Sequence, residues 1–409
     1  QAQALVALRG RSDTVHYRQS HRMRTHVMIC LPPLLAIFAL LPLAGGLVVR
    51  SNAVDASSAV PSRGIVMSCP VDGASSNAGG WKPANMFNGF ETGVRALRML
   101  GCQLPIYNVI YEHELPRAQQ RCRDVEHSFV DVSCMGMPVG HTGYGFSKIY
   151  AVKAAPVEQV LFIDCDAFFV RDPTYLFEDG NFTATGALFW ADIEGHYGSE
   201  GKLEAGMHLI PQERQGHKEE WWFWQGYDSG LLLLDKTTSR TAMDTLLQMI
   251  ESGHNSEELS TLSFGDKDLW HLSWLIAGPL CTDRACNLMP HAAMTGECMA
   301  DGKFHMSSQA KLDRDGQVVA LHQLWRLGGV GDGVLIHPTS LLAANLVGRA
   351  HPPVGAPEAD DLYYGVQGGG QIACDKVEQT FALQALPGTV KDLATSVSEC
   401  WHTLEQCAI

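Results

Sequence analysis

Val160-Leu161-Phe162-Ile163-Asp164-Cys165-Asp166 is the stretch on which the reading of this chain turns. The short apolar run Val160 to Ile163 reads as a strand buried on both faces, as strands of a parallel sheet are. Asp164 and Asp166 then leave the sheet at a strand's carboxyl end, which is where open α/β sheets bind ligands. Alternation along a strand would separate the two carboxylates. The chain turns at a strand end, however, and both can then reach one hard cation and the diphosphate oxygens it bridges. Acids at this spacing are common on solvated surfaces, but the apolar runs on both sides, Val160 to Ile163 and Ala167 to Val170, argue against that here. Cys165, between the acids, reads as a small buried residue rather than a nucleophile.

Working outward, the same alternation of strand and helix recurs. Gly64 to Cys69 (GIVMSC) is an apolar run ending in Pro70 and a Gly/Ser/Asn-rich loop through Gly80, and reads as the first strand of the sheet. Phe87, Phe90, Val94, Leu97 and Leu100 fall at helical spacing, with Gly101 as the stop. Pro105 to Tyr111 is a second strand. Downstream, Gly230 to Leu234 and Val318 to Leu321 are strand-like, and Ala242, Leu246 and Ile250 mark a helix ended by Gly253. The fold class is therefore α/β, a Rossmann-like, doubly wound and mostly parallel sheet, in a single catalytic domain over residues 63–409.

Hydrophobic residues make up 46% of the chain and charged residues 18%, an ordinary globular balance, while the net charge of -14 argues against a nucleic-acid partner. Val27 to Val49 carries no charge and is long enough to span a bilayer. Arg9, Arg11, Arg18, Arg22 and Arg24 precede it and only Arg50 follows closely, so the positive-inside tendency makes residues 1–26 a cytosolic basic tail. Residues 27–49 become a transmembrane signal anchor and residues 50–62 a short stem. The rest is lumenal, as in a type II membrane protein. The rival is a cleaved signal peptide starting at Met23, with Ala44-Gly45-Gly46 near the cleavage site. Either way the remainder enters the secretory pathway. Of twelve cysteines, all but Cys30 lie beyond the hydrophobic tract, which suits an oxidising compartment. Cys281 with Cys286 and Cys400 with Cys407 are close enough for local bridges, and Cys102, Cys122 and Cys134 form a further set whose connectivity stays open. A zinc site is the weaker reading, since no paired CxxC appears. Asn181-Phe182-Thr183 is an N-glycosylation sequon.

The string VLFIDCDAFFVRDPTYLFE, with RALRMLGCQLPI upstream and GYDSGLLLLDK and GDKDLW downstream, resembles the Golgi α-mannosyltransferase family of α-1,3-mannosyltransferase type. More distantly it is similar to the glycogenin and galactinol synthase group of retaining transferases. The resemblance covers roughly Gly64 to Ala277. It implies a GT-A fold, a nucleotide-sugar donor with GDP-mannose favoured, a divalent metal (usually Mn2+), retention of anomeric configuration, and a glycan or glycoprotein acceptor. On the matching positions, Lys148 would approach the donor diphosphate, where a cation stabilises the leaving group; a solvated helical lysine is the alternative. Asp228-Ser229-Gly230 stands where the distant relatives carry Asn-Ser-Gly. Gly230 would let backbone pass close to the donor and Asp228 would accept from sugar hydroxyls, or simply form a turn. Asp266 and Asp268, in GDKD, would steady a cationic sugar ring; Asp266 also suits a helix N-cap.

Val318 to Leu321 delivers His322 to the same edge, where an imidazole can complete a metal shell with Asp164 and Asp166; His305 and His337 compete for that place. Arg326 would face the diphosphate. Trp221-Trp222-Phe223-Trp224 suits either an acceptor platform or a buried cluster. No histidine–carboxylate pair is evident. Three other functions carry different expectations. A UDP-sugar-dependent retaining transferase would share the acids but not the donor. A haloacid-dehalogenase-like phosphatase also uses a strand ending in DxD, but wants Thr or Val at Phe168 and an earlier strand. A catalytically silent, lectin-like relative would tolerate losses at the matched acids, and none is seen. For the topology, protease added to sealed microsomes should spare everything after Arg50 until detergent is added; digestion before detergent would overturn the type II assignment.

Overall fold

The computed structural model describes residues 62–71, 86–138, 146–191, 209–214, 227–251, 266–279, 288–289, 292–298, 302–322, 333–336, 372–373 and 382–385. The tail, the 27–49 segment, most of the stem, the Trp221–Trp224 cluster, Gly253, Arg326, His337, and Cys281, Cys286, Cys400 and Cys407 lie outside them. Among the described residues no helix is long and apolar enough to cross a membrane.

The first sheet begins with β1 (Arg63–Met67), followed by α1 (Met86–Met99), β2 (Ile106–Tyr111), α2 (Leu115–Ser128), β3 (Val132–Met137), α3 (Ser147–Ala154) and β4 (Gln159–Ile163). β1 pairs in parallel with β2 and β4, and β2 in parallel with β3. Strand order therefore runs β3-β2-β1 on one side and turns to β4 on the other. That reversal, between β1 and β4, is the topological switch point at which such sheets open a crevice beyond their carboxyl ends. α1 ends as its spacing predicts, with Gly101 in the left-handed region at φ +87°.

The chain then enters β5 (Ala167–Phe169), a 3-10 turn over Pro173–Glu178, the short α4 (Gly180–Thr185) and β6 (Ala187–Ala191). Next come β7 (Tyr227–Asp235), α5 (Arg240–Glu251), α6 (Lys267–Ala277) and β8 (Leu288–Met289). β7 adds beside β4 in antiparallel register and β6 beside β7, while β6 and β8 are parallel. The mostly parallel expectation holds for this sheet apart from β7. The run Leu231 to Leu234 is buried on both faces, so its periodicity carries no sign of direction.

Alternate residues divide between two cores. Val160 and Phe162 of β4 and Leu232 and Leu234 of β7 face a core shared with α3, α5 and α6. Leu161, Ile163, Leu231 and Leu233 face one shared with α1, α2, β5 and β11 (Val318–His322). Each fully buried Leu or Phe contributes roughly 1.5–3 kcal/mol relative to exposure, so both faces of the strand that carries Asp164 are held by packing.

A second sheet was not anticipated. β9 (Ala292–Cys298), β10 (Lys303–Leu312), β11, β12 (Gly333–Ile336) and β14 (Ala382–Ala385) run antiparallel in the order β14-β12-β9-β10-β11-β5, with β13 (Ile372–Ala373) beside β10. The sequence reading placed Val318 to Leu321 in the main alternation; it belongs to this second sheet. β5 joins the two. On leaving β4 the chain turns and pairs with β11, placing Ala167 opposite His322 and Phe169 opposite Ala320.

Gly186 caps α4 at φ +73°, and a Cβ there would lie 2.6 Å from Thr238 Cβ. Gly186→Ala combines a disfavoured backbone with overpacking and is expected to cost about 2–4 kcal/mol. Chemical denaturation measures it; a loss below about 1 kcal/mol would show that the Thr238 turn gives way freely.

Candidate active site

Asp164 ends β4, and its backbone N–H donates to Gly230 O on β7 (2.9 Å). The turn closes where Ala167 N donates to Asp164 O (3.1 Å), sending β5 toward the second sheet. The β5–β11 register then sets His322 beside Asp166. His322 Nε2 lies 3.3 Å from Asp166 Oδ1 and 3.8 Å from Asp164 Oδ2. One potential ligand atom from each of Asp164, Asp166 and His322 falls within 4.8 Å of the others. The sequence reading thus named residues that the fold brings together, although His322 arrives from the other sheet.

Two carboxylates and an imidazole form a hard-to-borderline donor set that suits Mn2+ or Mg2+. The surroundings fit such an ion. His322 Nδ1 lies 2.8 Å from Asp228 Oδ2, the carboxylate–histidine arrangement that orients a metal-ligating ring and leaves Nε2 for the ion. Asp228 in turn is ion-paired with Lys311, a lysine only 1% exposed, whose Nζ also donates to Gln309 Oε1 (2.9 Å). Asp228 Oδ1 accepts from Gly230 N (2.8 Å). The sequence reading gave Asp228 to sugar hydroxyls or a turn. The Oδ1 bond to Gly230 N is such a turn, and Oδ2 meets His322 and Lys311, so the buried carboxylate also orients the His322 ring. A histidine–carboxylate pair does exist, therefore, between residues too far apart in sequence to be noticed.

Gly230 bears on the same ring. A Cβ there would meet His322 Cε1 at 2.4 Å and Nδ1 at 2.7 Å. The missing side chain leaves room for the imidazole.

Lys148 starts α3 and reaches the same edge. Its Nζ is 2.8 Å from Asp164 Oδ2, 2.9 Å from Ser229 Oγ and 3.6 Å from Asp266 Oδ1. With 14% of its side chain exposed, it is no solvated helical lysine. Asp266 precedes α6 but makes no side-chain capping bond. It accepts instead from Ser229 Oγ (3.1 Å) and from Trp270 Nε1 (3.0 Å). Asp268 lies on α6 and His305 on β10, with side chains outside the described residues.

Electrostatics follow from crowding charge out of water. Burial pushes the Asp164 carboxyl up to about 6, with Lys148 opposing and Asp166 reinforcing the rise. Burial would depress His322, but Asp228 and Asp166 override it and hold the imidazole at about 10. Burial likewise works against the Lys148 ammonium and is outweighed by Asp164 and Asp266, which keep it above its ordinary value. Burial would raise Asp228; His322 and Lys311 bring it well below the usual carboxylate range. Among the described residues, Asp164, Asp166, Asp228 and Asp266 face Lys148 and Lys311. With His322 held protonated by its neighbours, its imidazolium is a third cation beside these four carboxylates. His271, on α6, lies against Tyr227 at a tilt, with centroids 3.8 Å apart, and burial lowers it to about 3, which keeps it neutral.

Cys165 is buried as expected and is also disulfide-bonded to Cys69; Cys122 bonds Cys134, and Cys102 is a free buried thiol. The first bond was missed because its partners lie 96 residues apart in sequence. Lys311 was missed because it looks like an exposed strand residue, and only the register of β10 shows where it goes.

A family described as "Mannosyltransferase putative" matches residues 62–217. An α-1,2-mannosyltransferase, MNN2, from Candida albicans is 30% identical over 109 residues, covering 24% of this chain and 18% of that protein. The glycosyltransferase GlyE of Streptococcus pneumoniae is 17% identical over 52% of this chain and 43% of its own, at a TM-score of 0.32. Mouse xyloside xylosyltransferase 1 is 14% identical over 52% of this chain and 81% of its own, at 0.34. Structural likenesses this loose decide nothing about chemistry. The sequence matches support a glycosyltransferase of mannosyltransferase type.

Lys311→Met leaves Asp228 with His322 and Gly230 N as its partners among the described residues and is expected to cost about 3 kcal/mol, of which Lys311→Met/Asp228→Asn recovers a part. Urea denaturation of both variants checks this. Equal stability of Lys311→Met and wild type would show that the pair is not what holds the carboxylate.

Proposed function

We propose that the chain is a metal-dependent, retaining glycosyltransferase of GT-A type that moves mannose from GDP-mannose to a hydroxyl of a glycan or glycoprotein, giving an α-linkage. The observation that carries this reading is the convergence of Asp164, Asp166 and His322 beside the Lys148 ammonium at a sheet's switch point. Asp164, Asp166 and His322 would hold Mn2+, which when bound supplies positive charge to the departing nucleotide diphosphate.

Lys148 stands next to that place, held from behind by Ser229 and Asp266, and a fixed ammonium there stabilises charge on the leaving group. Arg326 would add to it. The acceptor hydroxyl attacks from the leaving-group face and its proton passes to a diphosphate oxygen, so no protein base is needed. The His322–Asp228 pair fits that economy, because the second ring nitrogen is paired with Asp166. Asp266 or Asp268 would steady the cationic ring, or one of them would form a covalent intermediate in a double displacement that also retains configuration. The chain would work from a Golgi membrane, anchored through residues 27–49 with its catalytic part lumenal.

Incubation of the purified chain with a panel of nucleotide sugars, with and without Mn2+, tests the reading. GDP-mannose should be consumed only with metal. Asp164→Asn and Asp166→Asn should abolish transfer while preserving the fold, and His322→Ala should weaken the Mn2+ dependence more mildly. Consumption of UDP-glucose, UDP-galactose or a pentose donor in place of GDP-mannose would refute the donor assignment, and a β-linked product would refute retention.

A further inference from the structure

Cys69 and Cys165 are joined at a place that matters to the site. β1 and β4 are parallel neighbours at the switch point, so the chain leaves both strands on the same edge. Cys69 follows β1 and is fixed to β2 by Asn108, a fully buried residue. Cys69 N donates to Asn108 Oδ1 (2.9 Å), and Asn108 Nδ2 donates to Cys69 O (3.1 Å). Cys165 occupies the middle of the turn that carries Asp164 on one side and Asp166 on the other, its Cα 5.6 Å from that of Cys69.

The turn is thus tied at three points: to β7 through Asp164 N and Gly230 O, to β11 through the Ala167–His322 register, and covalently to the end of β1. Only the last acts between the two acids. It adds a covalent restraint at the centre of a turn that Ala167 N closes by donating to Asp164 O, beside the 3.3 Å approach of His322 Nε2 to Asp166.

We propose that the Cys69–Cys165 disulfide is a positioning device for the divalent-cation site, fixing the Asp164-Cys165-Asp166 turn so that the oxidised chain binds the cation and the reduced chain binds it much more weakly. This rests on the metal-dependent reading above. The bond acts through the two aspartates and has no contact with a reacting atom. Its reduction by a dithiol breaks the S–S bond and leaves two thiols, while the dithiol closes to a cyclic disulfide.

Mn2+ binding to the purified full chain, followed by the electron paramagnetic resonance of the free ion, tests the proposal. Cys69→Ser/Cys165→Ser should bind Mn2+ about tenfold or more weakly than wild type, the range seen when support for metal ligands is removed. Cys122→Ser/Cys134→Ser, lacking the disulfide remote from the site, should bind within about twofold of wild type. Circular dichroism identifies which variants fold. Should the first variant fail to fold, wild type reduced with dithiothreitol in the native state, with both thiols mapped by alkylation, takes its place; affinity should fall on reduction and return on reoxidation. Unchanged Mn2+ affinity in the folded variant or the reduced chain would overturn the proposal. So would equal losses in both disulfide variants, or global unfolding in both arms, since each would assign the bond to the whole fold. An oxidised wild-type chain that binds no Mn2+ would remove the metal-dependent reading, and the proposal with it.

Discussion

Carboxylates cannot be gathered away from water without cations to answer them, and that constraint organises the structure around Asp164, Asp166, Asp228 and Asp266. Lys148 comes from α3, on one face of the first sheet. Lys311 comes from the second sheet and stands against Asp228. Each is a lysine withdrawn from solvent, which would be costly alone and is tolerated because its partner is an equally withdrawn aspartate. The helices and strands that deliver these residues are held by two apolar cores, so the charges are placed by packing and not by their own attraction.

The second sheet earns its position through one short strand. β5 is continuous with the DxD turn but pairs with β11, and that pairing is what carries His322 to Asp166. The same device explains why β7 must run against β4. Its first residues, Tyr227 to Gly230, have to begin at the edge where β4 ends, so that Asp228 and Ser229 meet His322 and Lys148 there. A parallel strand would have left its first residues at the opposite end of the sheet.

Much of this was legible in the sequence. β4 is recovered to within one residue because Val160 to Ile163 is an unbroken apolar run stopped by acids, and α1 because its large apolar residues keep helical spacing up to Gly101. α2 was not read, since Ala118, Cys122 and Val125 are its only buried residues among charged neighbours and give too faint a stripe. Asp164, Asp166 and His322 were named because each stands at a strand's end, and Lys148 because its segment matches the family pattern. Their supports were not. Lys311 sits amid a strand, Cys69 far from its partner, and the space that Gly230 leaves is filled by a ring from the other sheet. Local pattern reports where an element begins and stops; the order and register of strands decide what lies opposite, and those are settled by contacts distant in sequence.

The order in which these groups appear along the chain has a consequence for how the molecule is made. Translation delivers both ends of the Cys69–Cys165 bond, and both aspartates of the turn, well before Lys311 and His322 leave the ribosome. Under oxidising conditions a nascent chain could therefore close that bridge before Lys311 and His322 are made. The first sheet would wait with its acids in water, and the arrival of β10 and β11 would be the event that draws them in.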